Sequence, residues 1–311
     1  QELPALEDGQ VRVRVTHFSL DPGMRPALSR DTYVGATPIG SLITSAGIGI
    51  VEETRDEKLA VGDMVTGGFG WQSGLVVKGR HCVKHNPALF KGKVTATAAI
   101  GVLGIPGMTS WFGLKNIAGL KNGETVLISS ASGPVGATAG QLAKLMGAGR
   151  VVGIAGSKTK CDWLTAEAGF DASINYRDAA NLEDAMREAS GGGADIYFDN
   201  VGGEMLDAAI NVLKPGGRIA VSGQLAEYNL DEPRGIRNTL PFITQRLTMR
   251  GFVVLDFVRE FGPAAMQMAQ WINEDKLLYR EEVVDGIENA PAAYAGLFKG
   301  ENFGRRLIKV S

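Results

Sequence analysis

Short apolar strands alternate with helices between residues 125 and 223, and this alternation restricts the possible fold more than any other feature of the chain. The predicted strands are TVLISS (125–130), RVVGIAG (150–156), ASINY (172–176), ADIYFDN (194–200) and GRIAVSG (217–223), and the predicted helices between them are 134–146, 158–168, 179–190 and 203–212. Apolar strands joined by helices form parallel sheets that helices cover on both faces. The sequence therefore predicts an α/β domain with a doubly wound parallel sheet.

The chain before residue 109 follows a different pattern, in which short alternating runs are separated by glycine, proline and aspartate. Examples are VRVRV (11–15), AGIGIVEE (46–53) and GDMVTG (62–67). Alternation of apolar and polar residues is typical of strands with one buried face. The sequence therefore predicts a β-rich domain over 1–108, the doubly wound domain over 109–255 and a C-terminal segment over 256–311.

Three further elements are predicted after the last of these alternating strands, 217–223. The apolar run LTMRGFVVL (247–255) would form the edge strand of the parallel sheet, residues 261–274 a helix, and RRLIKV (305–310) a final strand. An apolar edge strand offers unpaired backbone groups to a second copy of the chain. We therefore expect a homodimer that pairs along 247–255, and a C-terminal segment that returns to the β-rich domain.

The charge and composition narrow the class of protein. The chain has 311 residues, of which 44% are hydrophobic, and its 32 basic and 34 acidic residues leave a formal charge of −2. That balance offers no field that would attract nucleic acid, and no apolar run reaches the roughly 18 residues of a membrane span. Two cysteines, Cys82 and Cys161, suit a reducing compartment, so we expect a soluble cytoplasmic protein. Since the sequence begins at Gln1, we expect some N-terminal residues to be missing.

The stretch ISSASGPVGATAG (128–140) is a candidate pyrophosphate-binding loop. It lacks the full G-x-G-x-x-G pattern, because Ala131 stands where the first glycine would be. Its context supports binding: a strand runs directly into it, and the following helix begins with small residues that allow close backbone approach to a phosphate. We predict that this loop binds a pyrophosphate; the alternative is a tight turn without a ligand.

The end of the second predicted strand indicates which dinucleotide binds. An NAD site usually carries an acidic residue there for the ribose hydroxyls, whereas this chain reads AGSKTK (155–160). Ser157 and the ammonium groups of Lys158 and Lys160 suit a 2′-phosphate. The sequence therefore predicts NADP rather than NAD, although solvated lysines in the first turn of a helix are the alternative.

Eight segments together resemble the medium-chain dehydrogenase/reductase family. They are SLDPGMR (19–25), GMTSWFGL (107–114), ASGPVGATAGQLAKLMG (131–147), VVGIAGSKTK (151–160), YFDNVGG (197–203), SGQLAEYN (222–229), GFVV (251–254) and the stretch 279–304. The resemblance covers nearly the whole chain, and it indicates one branch within the family. It points to the zinc-free branch that contains leukotriene 12-hydroxydehydrogenase/prostaglandin reductases and bacterial curcumin-reductase-like enzymes.

The resemblance implies a GroES-like β-rich domain, a Rossmann domain and a set of NADPH contacts. Gly133, Pro134, Val135 and Gly136 would contact the pyrophosphate, and Lys160 and Tyr176 would bind the 2′-phosphate. The residues implied at the nicotinamide end are Asn200, Ser222, Gly223, Tyr228, Phe252, Val253, Val254 and Asn302. Each has a structural alternative: Asn200 could cap the following helix, Asn302 could be a turn residue, and Phe252 and Val254 could be core residues of the edge strand.

The sequence predicts no metal site. Zinc-dependent dehydrogenases need cysteine and histidine ligands, and two cysteines cannot supply a four-cysteine site. The run Arg80-His81-Cys82-Val83-Lys84-His85 contains possible ligands, but on a strand His81 and Cys82 would face opposite sides.

Without a metal to polarise a carbonyl, simple alcohol dehydrogenation is disfavoured, and hydride transfer to the C=C bond of an α,β-unsaturated carbonyl compound is favoured. The resulting enolate needs only a hydrogen bond and later a proton. Tyr228 and Tyr33 are the candidate donors, with the cofactor ribose hydroxyl or water as alternatives, and either tyrosine could be structural. Gly23 replaces the tyrosine that the family usually has in SLDPGMR, which affects the expected substrate size.

Three functions compete at this point. The leading hypothesis is an NADPH-dependent reductase of α,β-unsaturated ketones and aldehydes. A quinone oxidoreductase would share the fold and the cofactor. A noncatalytic NADPH-binding redox sensor would bind the cofactor without turnover.

Overall fold

The structure is a computed structural model that describes residues 3–29, 31 and 35–310, and the chain divides into two compact units. One contains residues 1–101 and 281–311, and the other residues 102–280. These limits differ from the predicted ones at 108 and 255. The stretch 256–280 belongs to the second unit, where Phe257 stacks on Phe112 at a centroid distance of 4.8 Å and Trp271 lies 5.8 Å from Trp111.

Numbered along the chain, the strands are β1 (Gln10–Ser19), β2 (Gly47–Thr54), β3 (Met64–Gly67), β4 (Gly74–Lys78), β5 (Val83–Lys84), β6 (Thr125–Ile128), β7 (Arg150–Ala155), β8 (Ala172–Asn175), β9 (Ala194–Asp199), β10 (Leu213–Val221), β11 (Thr248–Gly251), β12 (Glu281–Asp285) and β13 (Arg305–Lys309). The helices are α1 (Ile105–Phe112), α2 (Pro134–Leu145), α3 (Lys158–Ala166), α4 (Leu182–Ala189), α5 (Gly203–Val212), α6 (Leu240–Thr244), α7 (Phe261–Asn273) and α8 (Ala290–Phe298).

The first unit contains a seven-stranded mixed sheet. Its strand order is β12-β13-β1-β2-β3-β5, with β4 also paired to β1. The predicted alternation in β1 is confirmed, because Val11, Val13 and Val15 are fully buried whereas Arg14 between them is exposed. Alternate residues of a strand point to opposite faces, so the valines form one face of the core with Phe69.

The second unit contains six parallel strands in the order β11-β10-β9-β6-β7-β8. Counted from the first strand of this unit, that order is 6-5-4-1-2-3, the arrangement of a Rossmann domain. The predicted doubly wound fold is confirmed. The order reverses between β6 and β9, and ligands of such sheets bind beyond the carboxyl ends of the strands at that point.

Three local elements differ from the sequence-based predictions. The edge strand is short, because the chain leaves β11 at Gly251 and residues Val254–Glu260 form a 3-10 helix. Strand β12 was not predicted; it pairs parallel to β13, and Glu282 on it binds Arg306 on β13 at 3.0 Å. Residues Gly113–Ile117 continue α1 as a π-helix.

Within the described part of the chain, no helix has the length and apolar character needed to cross a membrane.

Candidate cofactor and active site

The predicted phosphate loop connects β6 to α2 by a tight turn. Ser130 has a φ of 49°, in the left-handed region that residues other than glycine rarely adopt. A Cβ atom at Gly136 would lie 2.4 Å from the Ser130 carbonyl oxygen and 2.7 Å from the Ala131 Cα. Only glycine therefore allows the first turn of α2 to approach the loop backbone this closely.

The start of α2 leaves backbone donors available. Gly133 caps the helix without a side-chain hydrogen bond, and Pro134 has no N–H. The N–H groups of Val135 and Gly136 lie in the first turn, where no helical carbonyl can accept from them. The positive end of the helix dipole lies at the same place. The cradle and these donors fit a pyrophosphate.

The predicted 2′-phosphate residues come together at the ends of β7 and β8. Ser157 caps α3, and its hydroxyl accepts a hydrogen bond from the Lys160 N–H at 3.4 Å. The Tyr176 N–H donates to the Ala155 carbonyl at 3.1 Å. A Cβ atom at Gly156 would lie 2.9 Å from the Tyr176 ring, so this ring covers the glycine. The first turn of α3 contains no acidic residue, which fits a phosphate at this position.

Lys158 has an ion-pair partner within its own helix. Its ammonium group lies 2.7 Å from the Asp162 carboxylate one helical turn away, and its side chain is 83% exposed. The charge of Lys158 is thus balanced within α3. Sequence reasoning overlooked Arg177, whose guanidinium group lies 5.8 Å from the centre of the Tyr176 ring.

Asn200 follows β9 and joins two strand ends. Its amide Nδ2 donates to the Ser129 carbonyl at 2.7 Å, and its Oδ1 accepts from the Ser222 hydroxyl at 2.6 Å. The capping alternative for Asn200 is wrong, because the N-cap of α5 is Gly202 and carries no side-chain cap. Asn200 and Ser222 therefore form one polar pair at the carboxyl edge of the sheet.

Asp199 and Ser129 are two site residues that sequence reasoning missed. Asp199 is fully buried, and its Oδ1 accepts from the Ser129 hydroxyl at 3.2 Å and from the Tyr197 hydroxyl at 3.0 Å. Burial raises the pKa of Asp199, while hydrogen bonds from the N–H groups of Gly202 and Val201 oppose that shift. The only sequence signal was the position of both residues at strand ends, which meet at one edge of a parallel sheet.

The loop after β10 carries Tyr228, which is half-buried. The Tyr228 hydroxyl accepts a hydrogen bond from the Gln224 N–H at 3.2 Å. A Cβ atom at Gly223 would lie 3.4 Å from this hydroxyl and 3.2 Å from the Asn200 carbonyl oxygen. Tyr228 therefore belongs to the same group of residues as Asn200. Tyr33, the other predicted donor, lies outside the described residues.

The predicted apolar contacts at 252–254 differ in exposure. Phe252 is half-buried, and a Cβ atom at Gly113 would lie 3.0 Å from its ring. Val253 is 37% exposed, whereas Val254 is buried. Burial of Val254 is consistent with a core role, and the exposed position of Val253 leaves it available for contact with a ligand.

Asn302 and Gly23 lie in the other unit, which contains the β-rich sheet. The Asn302 Nδ2 donates to the Gly304 carbonyl at 3.1 Å, and Gly304 has a φ of 83°, so Asn302 stabilises a turn. A Cβ atom at Gly23 would meet nothing within 4 Å. The surroundings of Gly23 therefore leave space for a side chain.

The possible metal ligands are arranged differently from the prediction. His81 lies in a 3-10 turn, Gly79–His81, rather than on a strand, because the chain bends before β5. Burial raises the pKa of Cys82 to about 11, which disfavours the thiolate that binds zinc. Among residues 3–29, 31 and 35–310, no three His, Cys, Asp or Glu side chains are grouped so that they could hold a metal ion.

Comparison with known families gives two matches. Residues 134–271 match the family described as zinc-binding dehydrogenase, and residues 1–85 match the family described as N-terminal domain of oxidoreductase. Between them, the matches cover both the β-rich start of the chain and most of the parallel-sheet unit.

Three similar proteins cover almost the whole chain. The NADP(+)-dependent 2-alkenal reductase of Nicotiana tabacum is 39% identical over 97% of this chain and 87% of its own length. Prostaglandin reductase 1 of Bos taurus is 38% identical over 99% and 92%. The crystal structure of CurA from Vibrio vulnificus in complex with NADPH has a TM-score of 0.92 at 33% identity, covering 100% of this chain and 93% of that one.

Proposed function

Because the chain belongs to the zinc-independent branch of the medium-chain dehydrogenase/reductase family, we propose that it reduces the C=C bond of α,β-unsaturated ketones and aldehydes with NADPH. The observation that carries this proposal is the position of Tyr228. Its hydroxyl lies on the loop after β10, beside the Asn200–Ser222 pair at the carboxyl edge of the sheet. This edge is where a Rossmann domain binds its cofactor.

The protein is an NADP-dependent oxidoreductase, and its own residues suggest how NADPH is held. The backbone of residues 133–136 would bind the pyrophosphate, and Ser157, Lys160 and Tyr176 the 2′-phosphate. Asn200, Ser222 and Gly223 would lie at the nicotinamide end, with Phe252 and Val253 as apolar contacts. The assignment of Asn302 to the nicotinamide stays a prediction.

The proposed reaction needs little from titratable side chains. NADPH would supply a hydride from C4 to the β-carbon of the substrate. The C=C electron pair would then form a double bond between the α-carbon and the carbonyl carbon, and the C=O π pair would move to the oxygen. Tyr228 would donate a hydrogen bond to that enolate oxygen while its own oxygen accepts from the Gln224 N–H. A phenol suits this role because it stays neutral at working pH. A proton from solvent at the α-carbon then completes the saturated product.

A substrate panel tests the proposal. Oxidation of NADPH and NADH would be followed with enones, enals, quinones and saturated aldehydes, and the products identified by mass spectrometry and NMR. We expect saturated ketones and aldehydes, with a preference for NADPH. Turnover with quinones alone, or NADPH binding without any turnover, would contradict the proposal in favour of a quinone oxidoreductase or a redox sensor respectively.

Replacing Tyr228 with phenylalanine tests the enolate donor. We expect kcat to fall by about tenfold to a hundredfold, because one positioned hydrogen bond to developing charge is lost. The KM for NADPH should change little, because the phenol is assigned to the substrate. Steady-state kinetics with one enone measures both values. A kcat equal to that of the wild type would assign the donor role to another group, such as Tyr33 or water.

We further propose that two copies pair along β11. This strand ends the six-stranded sheet, and its four residues are exposed. The neighbouring Leu255 and Val258 are 52% and 56% exposed. Pairing would satisfy the free strand edge and cover these side chains.

Sedimentation at micromolar concentration should give about twice the monomer mass of 32.9 kDa. Leu255→Glu should shift the equilibrium toward the monomer, because pairing would bring two buried like charges together. Val61→Glu is the matched control, since Val61 is 66% exposed in the other unit. A wild-type monomer would contradict this assignment.

The cytoplasmic compartment expected from the cysteine usage stays a prediction.

A further inference from the structure

The Asp199 carboxyl group has an unusual environment at the end of β9. It is fully buried, and Oδ1 accepts all four of its hydrogen bonds, from Ser129, Tyr197, Val201 and Gly202. The other oxygen, Oδ2, is also buried and has no hydrogen-bond partner among the described residues. Burial of a carboxyl group that is only partly satisfied costs free energy. The groups that the Asp199 carboxyl group positions would explain why a buried carboxyl group occurs here despite this cost.

One pair of bonds explains the local turn but not the rest. The N–H groups of Val201 and Gly202 donate to Asp199 at 3.0 Å each, which fixes the chain before α5. An Asx-type turn of this kind needs no contact with another strand. The bond from Ser129, on the loop after β6, is thus a separate feature.

Ser129 transmits the position of Asp199 to Asn200. Its hydroxyl donates toward Asp199 Oδ1 at 3.2 Å, a shorter contact than the 3.4 Å to the Phe198 carbonyl. The same oxygen accepts from the Asn200 N–H at 2.8 Å, and the Ser129 carbonyl accepts from the Asn200 amide at 2.7 Å. A serine hydroxyl has one hydrogen, so directing it to Asp199 leaves its lone pairs for Asn200.

These bonds permit a single orientation of the Asn200 amide. Nδ2 faces a carbonyl that can only accept, and Oδ1 lies 2.6 Å from the Ser222 hydroxyl. A rotation of the amide by half a turn would set its oxygen against the Ser129 carbonyl oxygen. The second amide hydrogen of Asn200 meets no acceptor among the described residues, so it remains for a ligand with its direction fixed.

We propose that Asp199 is a positioning residue for the nicotinamide end of the cofactor, acting through the Ser129 hydroxyl on the backbone N–H of Asn200. This inference rests on the proposed function only in assigning Asn200 and Ser222 to the nicotinamide. Asp199 holds the Ser129 hydroxyl, and through it the backbone of Asn200, in place before the cofactor binds. Such preorganisation affects the geometry of hydride transfer more than affinity, which the phosphate contacts dominate.

Three variants test this role. Ser129→Ala removes the link and leaves Asp199, whereas Asp199→Asn keeps the size and one oxygen acceptor but removes the charge. Ser190→Ala is the matched control, because it also deletes a buried serine hydroxyl, one that donates to the Met186 carbonyl in α4 at 2.6 Å. The measurements are the fluorescence lifetime of bound NADPH, the dissociation constant of NADPH, Tm and kcat with an enone.

For Ser129→Ala we expect a bound-NADPH lifetime shifted toward that of free NADPH, and kcat lowered about tenfold or more. Asp199→Asn keeps an oxygen that can accept from Ser129, so we expect both changes to be smaller in that variant. The dissociation constant should rise less than about threefold, because the phosphate contacts remain. Ser190→Ala should lower Tm alone. If Ser129→Ala also lowers Tm but keeps the wild-type lifetime and kcat, Asp199 is only structural.

The lifetime separates this inference from the proposed function. A wild type that reduces no enone, combined with a changed lifetime in Ser129→Ala, overturns the function and supports the positioning role. If Asp199→Asn does not fold, Ser129→Ala decides alone, since it leaves the carboxylate in place.

Discussion

Gly136→Ala is expected to lower kcat/KM for NADPH by on the order of a hundredfold, because displacement of the loop by about 1 Å has effects of that size. The added Cβ atom would lie 2.4 Å from the Ser130 carbonyl oxygen and 2.7 Å from the Ala131 Cα. Both are backbone atoms, so the first turn of α2 must move away from the loop. We also expect a loss of about 1–3 kcal/mol in the free energy of unfolding, as in other overpacked sites.

Gly262→Ala is the control for this substitution. Gly262 lies in the first turn of α7, and a Cβ atom there would meet nothing within 4 Å. Alanine should stabilise the helix by up to about 1 kcal/mol and leave NADPH kinetics unchanged. Steady-state kinetics with NADPH measures kcat/KM, titration of NADPH fluorescence measures binding, and thermal unfolding measures stability. A Gly136→Ala protein that binds NADPH as the wild type does would exclude this loop as the pyrophosphate cradle.

Lys160→Ala is expected to raise the KM for NADPH by roughly tenfold to a hundredfold, which corresponds to about 1.5–3 kcal/mol for a charge-assisted hydrogen bond. Lys160 lies three residues after Ser157, the N-cap of α3. Gly156, directly before this cap, is covered by the Tyr176 ring. The weak use of NADH should remain nearly constant, since NADH has no 2′-phosphate. Kinetics with both cofactors and one enone measures the ratio.

Lys158→Ala separates a specific contact from general charge loss. Both variants remove one positive charge from the first turn of α3, but Lys158 is paired with Asp162 at 2.7 Å. We expect its KM for NADPH to change less than about twofold, as for other exposed ion pairs. Equal effects of Lys160→Ala on NADPH and NADH would contradict the assignment of Lys160.

The architecture could be predicted from the sequence because it depends on local periodicity. The strands at 125, 150, 172 and 194 begin where their apolar runs begin. The edge strand was overestimated for a tertiary reason. Its last apolar residues leave the sheet for a 3-10 helix, Val254–Glu260, in which Phe257 stacks on Phe112, and no pattern within 247–255 records that contact.

In the candidate site too, features set by the local sequence could be predicted, whereas contacts set by the assembled sheet could not. The glycine loop, 133–136, and the turn from Ser157 to Lys160 are each continuous in sequence, so each could be predicted. The bond between Ser129 and Asp199 joins residues 70 positions apart. It exists because β6 and β9 are neighbours at the point where the strand order reverses, which only the assembled sheet determines.

The π-helix after α1 shows a third limit of sequence-based prediction. Residues 107–114 could be assigned to a helix region by the family resemblance, but not the wider turn at Gly113–Ile117. A Cβ atom at Gly113 would lie 2.5 Å from the Phe198 ring. Close packing against β9 thus accompanies this irregular turn, and the glycine is the only trace of it in the sequence.

The most direct test of the account follows the hydride itself. NADPH that carries deuterium at the transferred C4 position would be supplied with a simple enone, and the product examined by NMR. The account predicts a saturated ketone with deuterium at the β-carbon and solvent hydrogen at the α-carbon. Deuterium on the carbonyl carbon of an allylic alcohol would contradict it, because the hydride would then have reduced the C=O bond.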